Sequence, residues 1–152
     1  MDVQCNRSLQ KNCHYFSSKS GSSLSNFFKC NLRIWDIDFS SVEQAYQYKK
    51  AVYHKKERIA RQILYSSDSY QVYKLGKSIT PSHRWHRDKI GFMKLLLLAK
   101  YNQCPVFQKE LKNTDRKILI EDTPNPFWGR GADDNGRNML GVLLTELRFS
   151  QK

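Results

Sequence analysis

The chain has 152 residues, with 26 Lys and Arg against 14 Asp and Glu, for a net charge of +12. That length holds one domain of about 150 residues and no second full core, and a hydrophobic content of 39% excludes a disordered basic tail. The charge excludes an acidic tail protein and favours anionic partners.

Residues 1–12 are polar and aperiodic and read as a mobile N-terminal arm, ahead of a single domain over 13–152. Tyr15-Phe16 reads as a short strand and the Ser/Gly-rich stretch 17–23 as a loop. From Leu32 to Phe39, Trp35, Ile37 and Phe39 alternate with Asp36 and Asp38, which predicts one half-buried strand. Ser40-Ser41-Val42-Glu43 has the S-x-x-E form that opens a helix, and Val42, Ala45, Tyr46 and Lys49 carry it to about His54. Further helices fit 56–65, 69–75, 82–101 and 105–113, the third with Trp85, Met93, Leu96 and Leu97 toward the core. Within it, Leu95-Leu96-Leu97-Leu98-Ala99 is too short to span a bilayer and reads as a buried helix turn, with no membrane partner. A second strand is expected over 117–121, a long glycine-punctuated loop over 122–138, and a closing helix over 139–149. Helices outnumber strands and no βαβ alternation is visible, so the expected class is α+β, mainly helical, with a small antiparallel sheet.

Charge is unevenly placed. Residues 44–119 hold 17 Lys and Arg against five carboxylates, a net of +12, while the flanks hold nine of each sign. This reads either as a set of solvated helix faces or as a surface that attracts phosphates. The four cysteines form no C-x-x-C pair, and the chain starts without an apolar leader run. Free thiols and an intracellular setting, cytoplasmic or nuclear, are therefore expected.

The loop over 122–138 is where chemistry is expected first, because long loops in small domains are usually functional. It holds Asn125, Phe127, Trp128, Gly129, Arg130, Gly131, Arg137 and Asn138. Its glycines permit close approach of a ligand or of backbone. Trp128 offers a face for a base or an anchor for the core, and Arg130 and Arg137 offer donors to phosphate. Asn26, in Ser25-Asn26-Phe27, can bond a sugar hydroxyl or close an Asx turn. Glu43 either completes a capping box or serves as a carboxylate held beside a ligand. His83-x-x-His86 lacks further ligands at metal spacing, so no metal is expected. Neither a Ser/His/Asp order nor a P-loop is present, and no cofactor is indicated.

Leu24-Ser25-Asn26-Phe27, Glu43-Gln44-Ala45-Tyr46-Gln47, Lys50-Ala51, Leu75-Gly76, Trp85, Phe127-Trp128-Gly129-x-Gly131 and Gly136-x-Asn138-x-Leu140-Gly141, in this order, resemble the NADAR (YbiA-like) family over about Tyr15 to Arg148. The resemblance implies an N-glycosidase that acts on riboflavin-pathway intermediates or removes ADP-ribose from guanine in nucleic acid. It implies that Glu43 is the catalytic carboxylate, as stabiliser of an oxocarbenium-like transition state, as base toward water, or as nucleophile. Asn26, Phe27, Tyr46, Gln47, Trp85, Asn125, Trp128, Gly129, Arg130, Gly131 and Asn138 would line the ligand site, with Trp85 and Trp128 on base or ribose; the place of Arg130 on phosphate is read from its guanidinium and not from the resemblance. Asn125 stands where many family members carry Asp, and an amide cannot act as a base. The expected partner is an ADP-ribose-containing ligand, first of all ADP-ribosylated nucleic acid. The alternatives are a phosphorylated ribosyl-pyrimidine substrate, a non-catalytic ADP-ribose or nucleic-acid binding module, and a basic structural domain.

Overall fold

A computed structural model describes residues 11–151. The expected arm therefore lies, through residue 10, outside the described residues. Four short strands and six α-helices are formed among the described residues, with a 3-10 turn at Ser18–Ser20: β1 (Cys13–Phe16), β2 (Leu32–Ile34), β3 (Ile37–Phe39), α1 (Val42–Tyr53), α2 (Glu57–Leu64), α3 (Ser69–Lys77), α4 (His83–Gln103), α5 (Pro105–Asn113), β4 (Ile118–Glu121) and α6 (Met139–Ser150). This is the expected α+β class with its small antiparallel sheet, the β2–β3 pair. The helices fall within a few residues of their expected limits.

The chain divides into two compact units, Asn26–Gln108 and, among the described residues, 11–25 with 109–151. In the first, α1, α2 and α3 close around Ala51, Ala60, Ile63, Val72 and Ile79, each 5% exposed or less. The predicted strand over Leu32 to Phe39 is instead a hairpin. Leu32 pairs with Phe39 and Ile34 with Ile37, and the two residues between, Trp35 and Asp36, both take positive φ (55° and 59°). Two positive-φ residues in a two-residue loop match the right-handed twist of the strands, a geometry usually signalled by Asn-Gly. Trp-Asp gives no such signal. Trp35 is held there by an edge contact to Phe39, at 6.4 Å between centroids, and by the Lys49 ammonium 5.0 Å from its ring.

The Leu95-to-Leu98 run is amphipathic rather than buried. Leu96 and Leu97 are 1% exposed or less, while Leu95 and Leu98 are 51% and 41% exposed, as expected of one helix face. No helix among the described residues is long and apolar enough to cross a membrane.

In the second unit β1 and β4 pair in parallel, Cys13 with Ile118 through Phe16 with Glu121. A parallel pair needs a crossover connection, and here all of Asn26–Gln108 lies between the two strands in the chain. Beyond β4, Asn138 does the work of a missing strand: its Oδ1 accepts from the Glu121 N–H (2.9 Å) and its Nδ2 donates to the Leu119 carbonyl (2.8 Å). It holds φ 50° at the start of α6, a conformation that Asn tolerates and Ala does not. Gly141 completes the fit, since a Cβ there would lie 2.1 Å from the Leu119 carbonyl oxygen. Asn138→Ala is expected to destabilise this unit by about 2 kcal/mol or more, from two broken hydrogen bonds and the positive φ. Denaturant unfolding compared with wild type checks it.

Candidate active site

Residues 41–47 are buried without a break, although Ser41, Glu43, Gln44 and Gln47 are polar. The N-cap of α1 is Ser41, whose Oγ accepts the Gln44 N–H at 3.1 Å. Gln44 Oε1 in turn accepts the Ser40 backbone N–H at 2.7 Å, and its Nε2 donates to the carbonyls of Ile63, Leu64 and Ser66. The cap thus falls one residue later than S-x-x-E suggests, and the reaching-back role belongs to Gln44. Glu43 is released from capping.

The Glu43 backbone N–H donates to the Asn26 carbonyl at 2.9 Å, and its Oε1 accepts from Gln47 Nε2 at 2.8 Å. Glu43 is 6% exposed. Burial penalises its charged form and raises its pKa from 4.5 to about 7, although the Gln47 hydrogen bond and the Lys50 ammonium pull the other way. Lys50, two turns along the same helix, donates to the Gly76 carbonyl at 2.9 Å. Burial lowers its pKa and Glu43 opposes that shift.

The two residues bonded to Glu43, Asn26 through its carbonyl and Gln47 through its amide nitrogen, each carry a buried amide oxygen, Oδ1 and Oε1, that lacks a hydrogen-bond partner among the described residues. The Asn26 amide nitrogen meets a soft acceptor, Met93 Sδ, at 3.6 Å. A buried acceptor left unpaired costs about 1–3 kcal/mol, so such groups in a native fold call for an explanation. A ligand carrying hydroxyl donors would satisfy both. Gln47 fits because residue 76 is glycine: a Cβ there would lie 1.8 Å from Gln47 Oε1.

Of the other expected site residues in this unit, Tyr46 packs against Trp85 at 5.4 Å. Trp85 is 2% exposed, stacked on Phe92 at 5.6 Å and flanked by Tyr53 and His54. The indole, expected on a base or ribose, is packed here among aromatic rings of α1 and α4. Phe27 lies 6.3 Å from Tyr73.

The residues of the 122–138 loop belong to the other unit, where most of them are occupied in holding the loop. Asn125 Oδ1 accepts the N–H groups of Phe127 and Trp128 at 2.9 and 2.8 Å. That needs an acceptor and no charge, so Asn serves where Asp would. Arg130 pairs with Asp134 and, at 3.3 Å, with Asp122, so the guanidinium expected on phosphate is engaged within its own loop. The close approach permitted by the glycines is of the protein's own atoms: a Cβ on Gly129 would lie 2.2 Å from the Thr123 side-chain Oγ1, one on Gly136 would lie 2.4 Å from the Gly129 carbonyl oxygen, and Gly131 takes φ 78°. Asn138, expected in a ribose and phosphate pocket, has both amide atoms committed to β4. Trp128 is half-buried, edge-on to Phe127 at 4.7 Å.

Lys50 and Gly76 were not singled out as site residues from the sequence. The signal for Lys50 was present in the i, i+4, i+7 spacing of Glu43, Gln47 and Lys50, which puts all three on one helix face. Among the described residues no group of three or more His, Cys, Asp or Glu side chains could hold a metal ion.

Comparison with known proteins shows the family of the chain. Residues 13–150 match the NADAR domain model, and the chain belongs to the NADAR domain family. It is 31% identical over 127 residues to an N-glycosidase of Nostoc punctiforme, covering 82% of this chain and 81% of that one. It is 28% identical to the N-glycosidase YbiA of Shigella boydii, over 88% of this chain and 84% of that protein. A riboflavin biosynthesis protein of Vibrio vulnificus is 26% identical over 97% of this chain, which spans 40% of that protein's length. The solution structure of Escherichia coli YbiA superposes with a TM-score of 0.76 at 26% identity, covering 92% of this chain and 85% of that one.

A group whose folded pKa lies above its unfolded value lowers stability as pH rises between the two, because the unfolded state loses its proton first. For Glu43 the window runs from 4.5 to about 7, and the loss is on the order of 3 kcal/mol. Glu43→Gln is expected to lack this loss and to melt above wild type at pH 8 but not at pH 4.5, measured by thermal unfolding at both. At Asn125, Ala is expected to cost about 1–2 kcal/mol and Asp almost nothing, which denaturant unfolding of both variants checks.

Proposed function

We propose that the protein is an N-glycosidase whose substrate is ADP-ribosylated guanine in nucleic acid. The observation that carries the reading is the buried Glu43 carboxyl with a pKa near neutrality, bonded to Gln47 and held through its backbone by Asn26, two residues whose buried amide oxygens have no partner among the described residues. A group with a pKa near the working pH suits proton transfer. In the reaction the bond between the anomeric carbon and the guanine nitrogen breaks, guanine leaves with the electron pair and gains a proton, and water adds to the carbon to release ADP-ribose. Ionised Glu43 would stabilise the positive charge on the ring and take a proton from the water. Asn26 and Gln47 would accept from ribose hydroxyls and so orient the ring, satisfying their own oxygens in the complex. The net of +12 over residues 44–119 supports a polyanionic substrate.

A second reading keeps the chemistry and changes the substrate to a small phosphorylated ribosyl-pyrimidine. The names of the Vibrio vulnificus relative and of a Zea mays riboflavin biosynthesis protein, 35% identical over 65 residues, favour it. Only the nucleic-acid substrate would give rates that fall steeply with added salt.

Incubation with an oligonucleotide bearing ADP-ribosylated guanine, followed by mass spectrometry, is expected to show loss of the ADP-ribose mass with wild type. Glu43→Gln is expected to be at least tenfold slower with ligand affinity retained. If Glu43 is the base, kcat/KM rises with pH and levels off above about 7, where the carboxyl is ionised. No turnover of this substrate, with turnover of the ribosyl-pyrimidine phosphate, would move the assignment to the second reading.

A further inference from the structure

The surface of α3 has a composition that neither the hydrophobic core nor the Glu43 site requires. Its nine residues include no carboxylate, and the nearest one, Asp68, is spent as the N-cap acceptor for the Tyr70 N–H at 2.9 Å. Tyr70 and Tyr73 stack at 6.3 Å with 20° between their planes, and Tyr73 meets Phe27 at 6.3 Å. Phe27 directly follows Asn26, and its carbonyl accepts from Ser69 Oγ at 3.3 Å. Three rings thus lead from the Asn26 end of the candidate site out along α3, where Tyr70 is 57% exposed. Two ammonium groups lie over them, Lys74 at 4.6 Å from the Tyr70 ring and Lys77 at 5.5 Å from the Tyr73 ring.

Scattered exposed tyrosines are ordinary. A stacked tyrosine pair with a lysine over each ring, and a third ring tilted against it at 52°, form the combination that takes single-stranded nucleic acid: bases stack on rings irrespective of sequence, and mobile cations follow the phosphates. The helix spans roughly 13 Å at 1.5 Å per residue, further than one nucleotide requires. On the other flank of α3, an open groove shared with α2 adds Arg58, Arg61 and Tyr65, the last 86% exposed.

We propose that Phe27, Tyr73 and Tyr70, with Lys74 and Lys77, form a stacking track for the single-stranded nucleic acid that flanks the modified base. The proposal rests on the nucleic-acid reading of the substrate. In it the two lysines leave the rings and pair with phosphates when the strand binds, and the exposed end at Tyr70 takes an unmodified neighbouring base.

The test is binding of a fluorescein-labelled oligothymidylate 20-mer, followed by anisotropy over a series of salt concentrations. Tyr70→Ala, at an exposed position that leaves the core intact, is expected to raise Kd about tenfold without changing the salt slope. Lys74→Gln/Lys77→Gln is expected to flatten the slope by about 1.4, or roughly 0.7 for each phosphate no longer neutralised. Affinity for free ADP-ribose should match wild type in both. A Kd for Tyr70→Ala within twofold of wild type, or an unchanged slope in the double variant, overturns the track. If the oligonucleotide effects appear while wild type never releases ADP-ribose, the track stands and the glycosidase reading fails. If ADP-ribose is released and Tyr70→Ala binds like wild type, the track alone fails.

Discussion

The structure turns on one constraint, the burial of a carboxyl in the first turn of α1. A helix N-terminus favours negative charge, and Gln47 and Lys50 add to that preference, yet removal from water outweighs all three and leaves the Glu43 pKa near 7. The surroundings are arranged so that the group can be buried there at all. Ser41 and Gln44 cap the helix without it, Gly76 leaves room for the Gln47 amide that meets it, and the Asn26 carbonyl takes its backbone N–H. Trp85, packed between Tyr46 and Phe92, stiffens the same helix from behind.

The glycine-rich loop answers to a different physics. Its glycines, its asparagines and its arginine are committed to closing the loop on itself and onto β4, through Asn125, Asn138 and the Arg130 ion pairs. The exposed pairs of Arg130 with Asp122 and Asp134 hold geometry more than stability, since such pairs contribute about 0–1 kcal/mol. Motif residues in one part of the chain thus secure a backbone, and those in another keep polar atoms unpaired. Asn125 illustrates the difference. As an Asx-turn acceptor it does the structural work that an Asp would do, since both backbone N–H groups need an oxygen and not a charge.

The helices were legible because each carries a long amphipathic or capped pattern, and the α+β class followed from their number. The β2–β3 hairpin was not, because Trp35-Asp36 bears none of the usual turn residues. The parallel β1–β4 pair was hidden for another reason: its partners are separated in the chain by an entire compact unit, and single-strand periodicity says nothing about pairing. Glu43 and Gln47 were legible through the family resemblance. Whether Glu43 caps its helix needed coordinates, because the cap falls one residue later than the sequence suggests. Trp85 and Asn138 were expected at the ligand from the family resemblance and Arg130 from its chemical type, and neither tells which contacts a ring, an amide or a guanidinium already makes within the fold.

The most direct measurement is a carbon-13 NMR titration of the Glu43 side-chain carboxyl in glutamate-labelled protein, with Glu43→Gln used for assignment. The account predicts a midpoint near pH 7, well separated from the other glutamates. A midpoint in the ordinary range, near pH 4.5, would mean that the carboxyl is solvated, and would contradict the buried, proton-transferring Glu43 on which the functional reading depends.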